Sequence, residues 1–363
     1  MSAAPGLAQQ ERLLARGETV TWHEGMDLRG WYPLYVERGE TLADATMCWR
    51  HLGKTPFNDA FFVNTLARQP HEERRVCRTP LAALAMVATL GDGLAPDAFI
   101  FHVSRCGSTL LSQLLASLPQ CIVMSEPPVI DSLLRLHHDG MAGSDCIALL
   151  RQAILALGQR RSGDETHFII KFDCWHIHSL DLLRQAFPGT PCLFVYREPL
   201  AVLASHQRQR GPQMVPGMLH PAQLPLPAHL LTPGDIDGYT GLVLASLFDA
   251  ALPHAAAGQL QLINYKQLPD IVFSDLLARF GITSTAAQLQ AMHAQGGVHA
   301  KYGTAYHGDP PVPATDGLAA IAAQLQPGYL ALEALRLPAR QGKARPMISM
   351  KPTSDNLKLT LTP

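Results

Sequence analysis

The chain lacks most of the features that would settle its class at a glance. No run of about 18 apolar residues occurs, so no transmembrane helix is expected. The opening MSAAPGLAQQERLLARGE has no apolar core of the secretory kind, and a cytoplasmic protein is the expectation. Charge of one sign is also missing: 29 Lys and Arg stand against 30 Asp and Glu. That balance argues against broad nucleic-acid or membrane-surface binding, so any anion site must be local. The 7 cysteines are scattered, odd in number and never spaced C-x-x-C, which excludes a disulfide framework and a zinc site and leaves them as reduced core residues. Sixteen histidines show no metal-ligand spacing, and no metal is expected. There is no internal repeat and no long low-complexity tract.

What is present is a strand–turn–helix. In AFIFHVSRCGSTLLSQLL (Ala98–Leu115) an apolar strand, Phe99–Val103, meets the turn Ser104, Arg105, Cys106, Gly107, Ser108, Thr109 and then an amphipathic helix. Small and basic turn residues let backbone N–H groups close round an oxyanion, and the helix start adds free amides and a positive dipole end. A Walker loop would place glycine at His102 and lysine at Ser108, and has neither. The cation sits inside the turn instead, at Arg105.

From Ala98 onward apolar strands alternate with helices, which implies a parallel sheet covered on both faces. Strands are expected at Phe99–Val103, Cys121–Met124, His167–Lys171, Cys192–Tyr196 and Leu260–Tyr265. Helices are expected at Ser108–Leu118, Ile130–His137, Ile147–Arg160, His178–Phe187, Leu200–Arg208 and Gly238–His254, with one more at Gly317–Leu325. Pro212–Pro233 reads as a long loop. The fold class expected is α/β, a P-loop-type three-layer fold with a central parallel sheet, plus an N-terminal α+β subdomain. The divisions are 1–95, an N-terminal region, 96–305, the core, and 306–363, a C-terminal extension. Residues 1–20 read as a polar helix or loose end, and the aromatic run NDAFFVNTLA as core packing.

Four pieces fall at the C-terminal ends of strands, where open α/β sheets bind ligands: the loop Ser104–Thr109, Glu126 after CIVM, Lys171 closing FIIK with Asp173 behind it, and Arg197 ending FVY with Ser205 eight residues on. Glu126 is either a base or a cap of the helix begun by Pro127–Pro128; Asp173 either orients Lys171 or caps the next helix; His176 and His178 are second-choice bases.

Together these residues resemble sulfotransferases that use 3′-phosphoadenosine 5′-phosphosulfate (PAPS). VSRCGSTLL looks like their P-R-S-G-S-T-L-L loop, and Arg197 with Ser205 keeps the spacing of their 3′-phosphate site. Glu126, Lys171, Asp173 and R-E-P are similar to the protein-tyrosine and bacterial carbohydrate branches, and LQLINYKQLPDIVFSDLLARFGI to the late family block, with Lys266 where an acid is usual. Cys106 stands for the usual Ser, Ser104 for the common Pro, and HAKYG (His299–Gly303) for the C-terminal R-K-G segment, which makes Lys301 a donor contact.

The resemblance spans roughly residues 98–283 and implies in-line sulfuryl transfer from PAPS, without a metal, to an acceptor hydroxyl. Ser104, Arg105, Cys106, Gly107, Ser108, Thr109, Arg197, Ser205 and Lys301 bind the donor; Arg105 and Lys171 stabilise transferring charge; Glu126 takes the proton. The acceptor expected is a small molecule or flexible chain, met by the N-terminal region and the loop Pro212–Pro233, not a polyanionic glycan or nucleic acid. The competing readings are a P-loop kinase or NTPase with a degenerate loop, and a non-catalytic binding module.

Overall fold

The structure, a computed structural model, describes residues 13–88, 93–296 and 315–337. Lys301 lies outside the described residues. The N-terminal layer is a four-stranded sheet of β1 (Glu18–Val20), β2 (Trp31–Glu37), β3 (Thr46–His51) and β4 (Arg75–Pro80), in the order β1-β4-β3-β2. Helix α1 (Phe62–Arg68) and the short α2 (Ala83–Ala88) flank it. Residues 18–20, read as helix or loose end, instead pair with Arg75–Cys77 as a parallel edge strand. Pro33 lies in β2, an edge strand, where the register slips between Pro33 and Tyr35 and no ladder donor is needed from it.

The core sheet holds β5 (Ala98–His102), β6 (Cys121–Ser125), β7 (His167–Lys171), β8 (Cys192–Tyr196) and β9 (Gln261–Asn264). All pairings are parallel, in the order β6-β7-β5-β8-β9. Every residue of β5, β6 and β8 is buried, as runs such as AFIFH and CLFVY require when helices cover both faces. Helices α3 (Ser108–Ala116), α4 (Pro128–His138), α5 (Gly143–Leu157), α6 (Leu180–Ala186), α7 (Pro199–Arg208) and α8 (Ile236–Ala256) follow, with α9 (Ala286–Gly296) and α10 (Asp316–Arg336) after the sheet. The chain leaves β5 toward β6 and β7 on one side and returns to β8 on the other. The crevice beyond β5 is therefore a topological switch point, the place where such sheets bind ligands.

All seven cysteines are unpaired and buried. Helix α10 is longer than the expected Gly317–Leu325 and runs on through Pro327. A proline normally ends a helix; here burial of Tyr329 and Leu332, and hydrogen bonds from Asn264 and Tyr196 to Glu333, hold the second half in place. No helix among the described residues is long and apolar enough to cross a membrane.

The two layers are joined by buried and half-buried hydrogen bonds. Val36 N donates to Ser132 Oγ on α4 at 2.9 Å, and Gln159 receives Gly30 N at 3.0 Å while donating to Trp31 O at 2.8 Å. Gln113 on α3 donates to Asp59 O at 2.9 Å. That last bond fixes the segment leading into α1 against the helix of the anion loop.

Candidate active site

The loop after β5 is strained where it turns. Ser104, Arg105 and Glu126 are the three non-glycine residues with positive φ among the described residues, at 68°, 50° and 54°. Each conformation of this kind costs on the order of 1–3 kcal/mol and persists only where the surroundings enforce it. Here the enforcement is visible. His102 Nδ1 accepts the Ser104 N–H at 2.9 Å, and Gln213 Nε2 donates to Ser104 Oγ at 3.1 Å. Arg105 Nη2 donates to Gln209 O at 2.5 Å, just past the end of α7. Gly107, at φ 85°, caps α3, and a Cβ there would lie 2.8 Å from both Leu268 and Tyr265 side-chain atoms. Glycine is thus required twice, for the left-handed turn and for room.

Cys106 points away from the loop: its Sγ donates to Val195 O at 3.1 Å, and burial pushes the thiol's pKa up. Only its backbone N–H is left for an anion. Ser108 and Thr109 open α3, buried at the cavity wall, with their amides among those a helix start leaves unsatisfied.

Glu126 follows β6, and its N–H donates to Lys171 O at 2.7 Å. Its Oε1 lies 2.8 Å from Lys171 Nζ and 3.4 Å from His102 Nε2. Because His102 accepts at Nδ1, the neutral ring carries its proton on Nε2, facing Glu126. Burial pushes the Glu126 carboxyl up in pKa, but the Lys171 ammonium and His102 outweigh it and hold the group at about 2. Asp173 is its counterpart. Burial, together with the charges of Glu126 and Asp131, raises the Asp173 pKa well above the carboxylate range, and its carboxyl hydrogen-bonds Glu126. Neither residue caps a helix through its side chain: the N-cap of α4 is Pro127, and Asp173, at the N-cap of the turn Cys174–Ser179, makes no side-chain cap bond. Paired carboxylates whose environments drive their protonation apart are a common arrangement for acid–base work.

Lys171 is fully buried, with the Phe61 ring 4.5 Å from Nζ. Reading NDAFFVNTLA as core packing holds for Phe62 and Leu66 and fails for Phe61, which turns to the site. A period-based reading of helix α1 could not separate two adjacent phenylalanines, because Phe61 precedes the helix. Asp131 also lacked a sequence signal. It is buried on α4 and accepts from Trp175 Nε1 at 2.8 Å, Gln223 Nε2 at 2.5 Å and Arg135 Nε at 3.0 Å. His176 Nε2 sits 3.2 Å from the same carboxylate, so its ring is engaged there. His178 pairs with Ser246 at 3.0 Å on α8, and burial lowers its pKa to about 4.

Arg197 stacks on Tyr265, its guanidinium carbon 4.0 Å from the ring centroid. Tyr265 also bounds Gly107, so one ring ties Arg197 to the loop. Ser205 is half-buried on α7, and its carbonyl receives Gln209 N, the residue whose own carbonyl holds Arg105. Glu198 caps α7 by accepting from Leu200 N and Ala201 N.

A polar cavity of about 120 Å³ opens among His102, Ser104, Arg105, Ser108, Thr109 and Glu126. Beside it lies a pocket of about 380 Å³ that shares Phe61, Glu126, Asp173, Trp175 and Pro212 with it and continues between apolar side chains.

Residues 96–214 match the model of the sulfotransferase family. No curated protein matches the chain. Similar solved structures include a sulfotransferase from Mycobacterium avium, 12% identical over 64% of this chain and 77% of the other, with a TM-score of 0.42. A sulfotransferase domain of the Synechococcus olefin synthase is 16% identical over 71% and 98%, with a TM-score of 0.38. A sulfotransferase from Alicyclobacillus acidocaldarius is 14% identical over 67% and 96%, with a TM-score of 0.36. The matched third of the sequence contributes every wall of the polar cavity except Phe61, and over that segment the chain is similar to the sulfotransferase family.

Proposed function

We propose that the protein transfers a sulfuryl group from PAPS to an acceptor hydroxyl. The observation that carries this reading is the coincidence of strain and charge. The three strained residues line one small cavity, and a fully buried lysine is paired with the strained carboxylate at its edge. Such strain marks functional sites more often than structural ones. The donor supplies an activated sulfuryl group on a phosphate leaving group.

The loop amides from Ser104 to Thr109, with Arg105, bind the phosphosulfate end. Arg197 and Ser205 bind the 3′-phosphate, with Tyr265 fixing the guanidinium. Lys301 is proposed as a further donor contact. Lys171 stabilises charge on the leaving oxygen, each charge-assisted contact contributing roughly 1.5–3 kcal/mol. In the free protein its ammonium is held by Glu126; engaging a donor anion loosens that pair and raises the basicity of Glu126. Glu126 then accepts the acceptor's hydroxyl proton, as the acceptor O–S bond forms and the S–O bond to phosphate breaks in line.

Two measurements test this. Adenosine 3′,5′-bisphosphate should raise the melting temperature and ATP with magnesium should not; stabilisation by ATP and magnesium alone overturns the reading. Glu126→Gln should retain that nucleotide shift while turnover with labelled PAPS falls about 10²–10⁴-fold. Near-normal turnover removes Glu126 as the base.

A further inference from the structure

The 380 Å³ pocket rests on the same reading of the site and says what kind of acceptor enters it. Its walls come from parts of the chain on either side of the cradle: Leu14, Phe61 and Val63 from the N-terminal layer, Trp175 from the turn after β7, and Met218 and Leu219 from the long loop. Its volume falls within the about 300–1,000 Å³ of small-molecule pockets. Its charged and acidic lining is Glu126 and Asp173, which it shares with the cradle, and the pair Asp131 and Arg135. Arg135 is paired to Asp131 at 3.0 Å, and Lys171 is sealed behind Phe61 and Glu126. An anionic acceptor would bring its charge beside the Glu126 and Asp131 carboxylates, whose cations are already paired. An apolar body with one hydroxyl meets no such penalty, and removing its apolar surface from water along these side chains favours binding.

We infer that the acceptor is an uncharged, largely apolar alcohol or phenol, lying between the N-terminal layer and the loop at 212–219 with its hydroxyl directed past Phe61 and Trp175 to Glu126. Trp175 is held for this by its bond to Asp131, and the loop by Gln213 on Ser104 and Gln223 on Asp131. Phe61 is the specificity-determining residue, since its one ring faces both Lys171 and the pocket.

The test is equilibrium binding of 2-naphthol and of 6-hydroxy-2-naphthoate to the full chain by calorimetry, with no donor present. The expected result is saturable one-to-one binding of the naphthol and at least tenfold weaker binding of the carboxylate. Val63→Glu, at an exposed wall position, should weaken naphthol binding tenfold or more with an unchanged melting temperature. Equal or tighter binding of the carboxylate, no saturable naphthol binding, or an inert Val63→Glu overturns the inference. Binding is read without turnover, so failure of sulfuryl transfer leaves it standing. Labelled sulfate passing only to charged acceptors would overturn it while keeping the transferase reading.

Discussion

The polar cavity and the apolar pocket meet at Phe61, Glu126, Asp173, Trp175 and Pro212, yet they are built in opposite ways. The cavity is made by backbone: three strained residues, a glycine with no room for a methyl, and a helix start, all within a few residues of strand ends. The pocket is made by side chains from segments far apart in sequence, held together by single hydrogen bonds such as Gln113 to Asp59 and Gln223 to Asp131. A site for a fixed anion needs donors pre-set in space. A site for an apolar body needs only surface of suitable shape, which different chains can supply in different ways. The family match falls on the first and leaves the N-terminal and Met218–Leu219 walls of the second outside it.

The largest effect should come where the two halves touch. Lys171→Met leaves the Glu126 charge buried without its partner, which should cost about 3–5 kcal/mol of stability. Turnover should fall by about 10²–10³-fold or more with loss of the cation. Combining it with Glu126→Gln should restore much of the stability and none of the activity. Denaturant titration of the three variants checks this; a double variant as unstable as Lys171→Met would mean that Lys171 supports the fold by packing alone.

Next in size is Gly107→Ala, which tests whether the cavity is a backbone construction. A methyl at φ 85° meeting Tyr265 and Leu268 at 2.8 Å should cost about 1–3 kcal/mol and abolish the shift given by adenosine 3′,5′-bisphosphate. Unchanged nucleotide binding would show that the loop geometry is not what holds the anion.

The contrast also explains what the sequence disclosed. The core strands were legible to within one or two residues because a strand buried on both faces must be a continuous apolar run, as AFIFH and CLFVY are. The loop, Glu126, Lys171 and Arg197 stood out because each sits one step past such a run. Phe61, Asp131, Gln213 and Gln223 did not, because their roles come from contacts 44 to 110 residues away in the chain, which leave no local pattern. The second half of α10 was hidden by Pro327, which local propensity reads as an end and tertiary packing overrides.

Two carboxylates at the junction offer a smaller, pH-dependent test. Asp173 has a raised folded pKa, so the native state holds a proton that the unfolded chain releases near pH 4; stability is lost as pH rises from there. Glu126 has a lowered one, so its stabilisation is present above about pH 4.5 and is lost as pH falls toward 2. Asp173→Asn should therefore be more stable than the parent above pH 4, by a margin that grows with pH. Glu126→Gln should be less stable throughout that range. Matching pH profiles for the two variants would dissolve the distinction between them.

The smallest effect asks which half Phe61 belongs to. If it is only pocket wall, Phe61→Leu preserves the apolar surface and changes nothing measurable in stability. If its ring also holds Lys171, the lost cation–π contact, with Nζ 4.5 Å from the centroid, should cost about 0.5–1 kcal/mol. That cost should vanish when Lys171 is already Met, because the ring then has no charge to face. A double-mutant cycle on Phe61 and Lys171 reads the coupling directly. A coupling near zero would assign Phe61 to the pocket alone and sever its link between the N-terminal layer and the charge at the cradle.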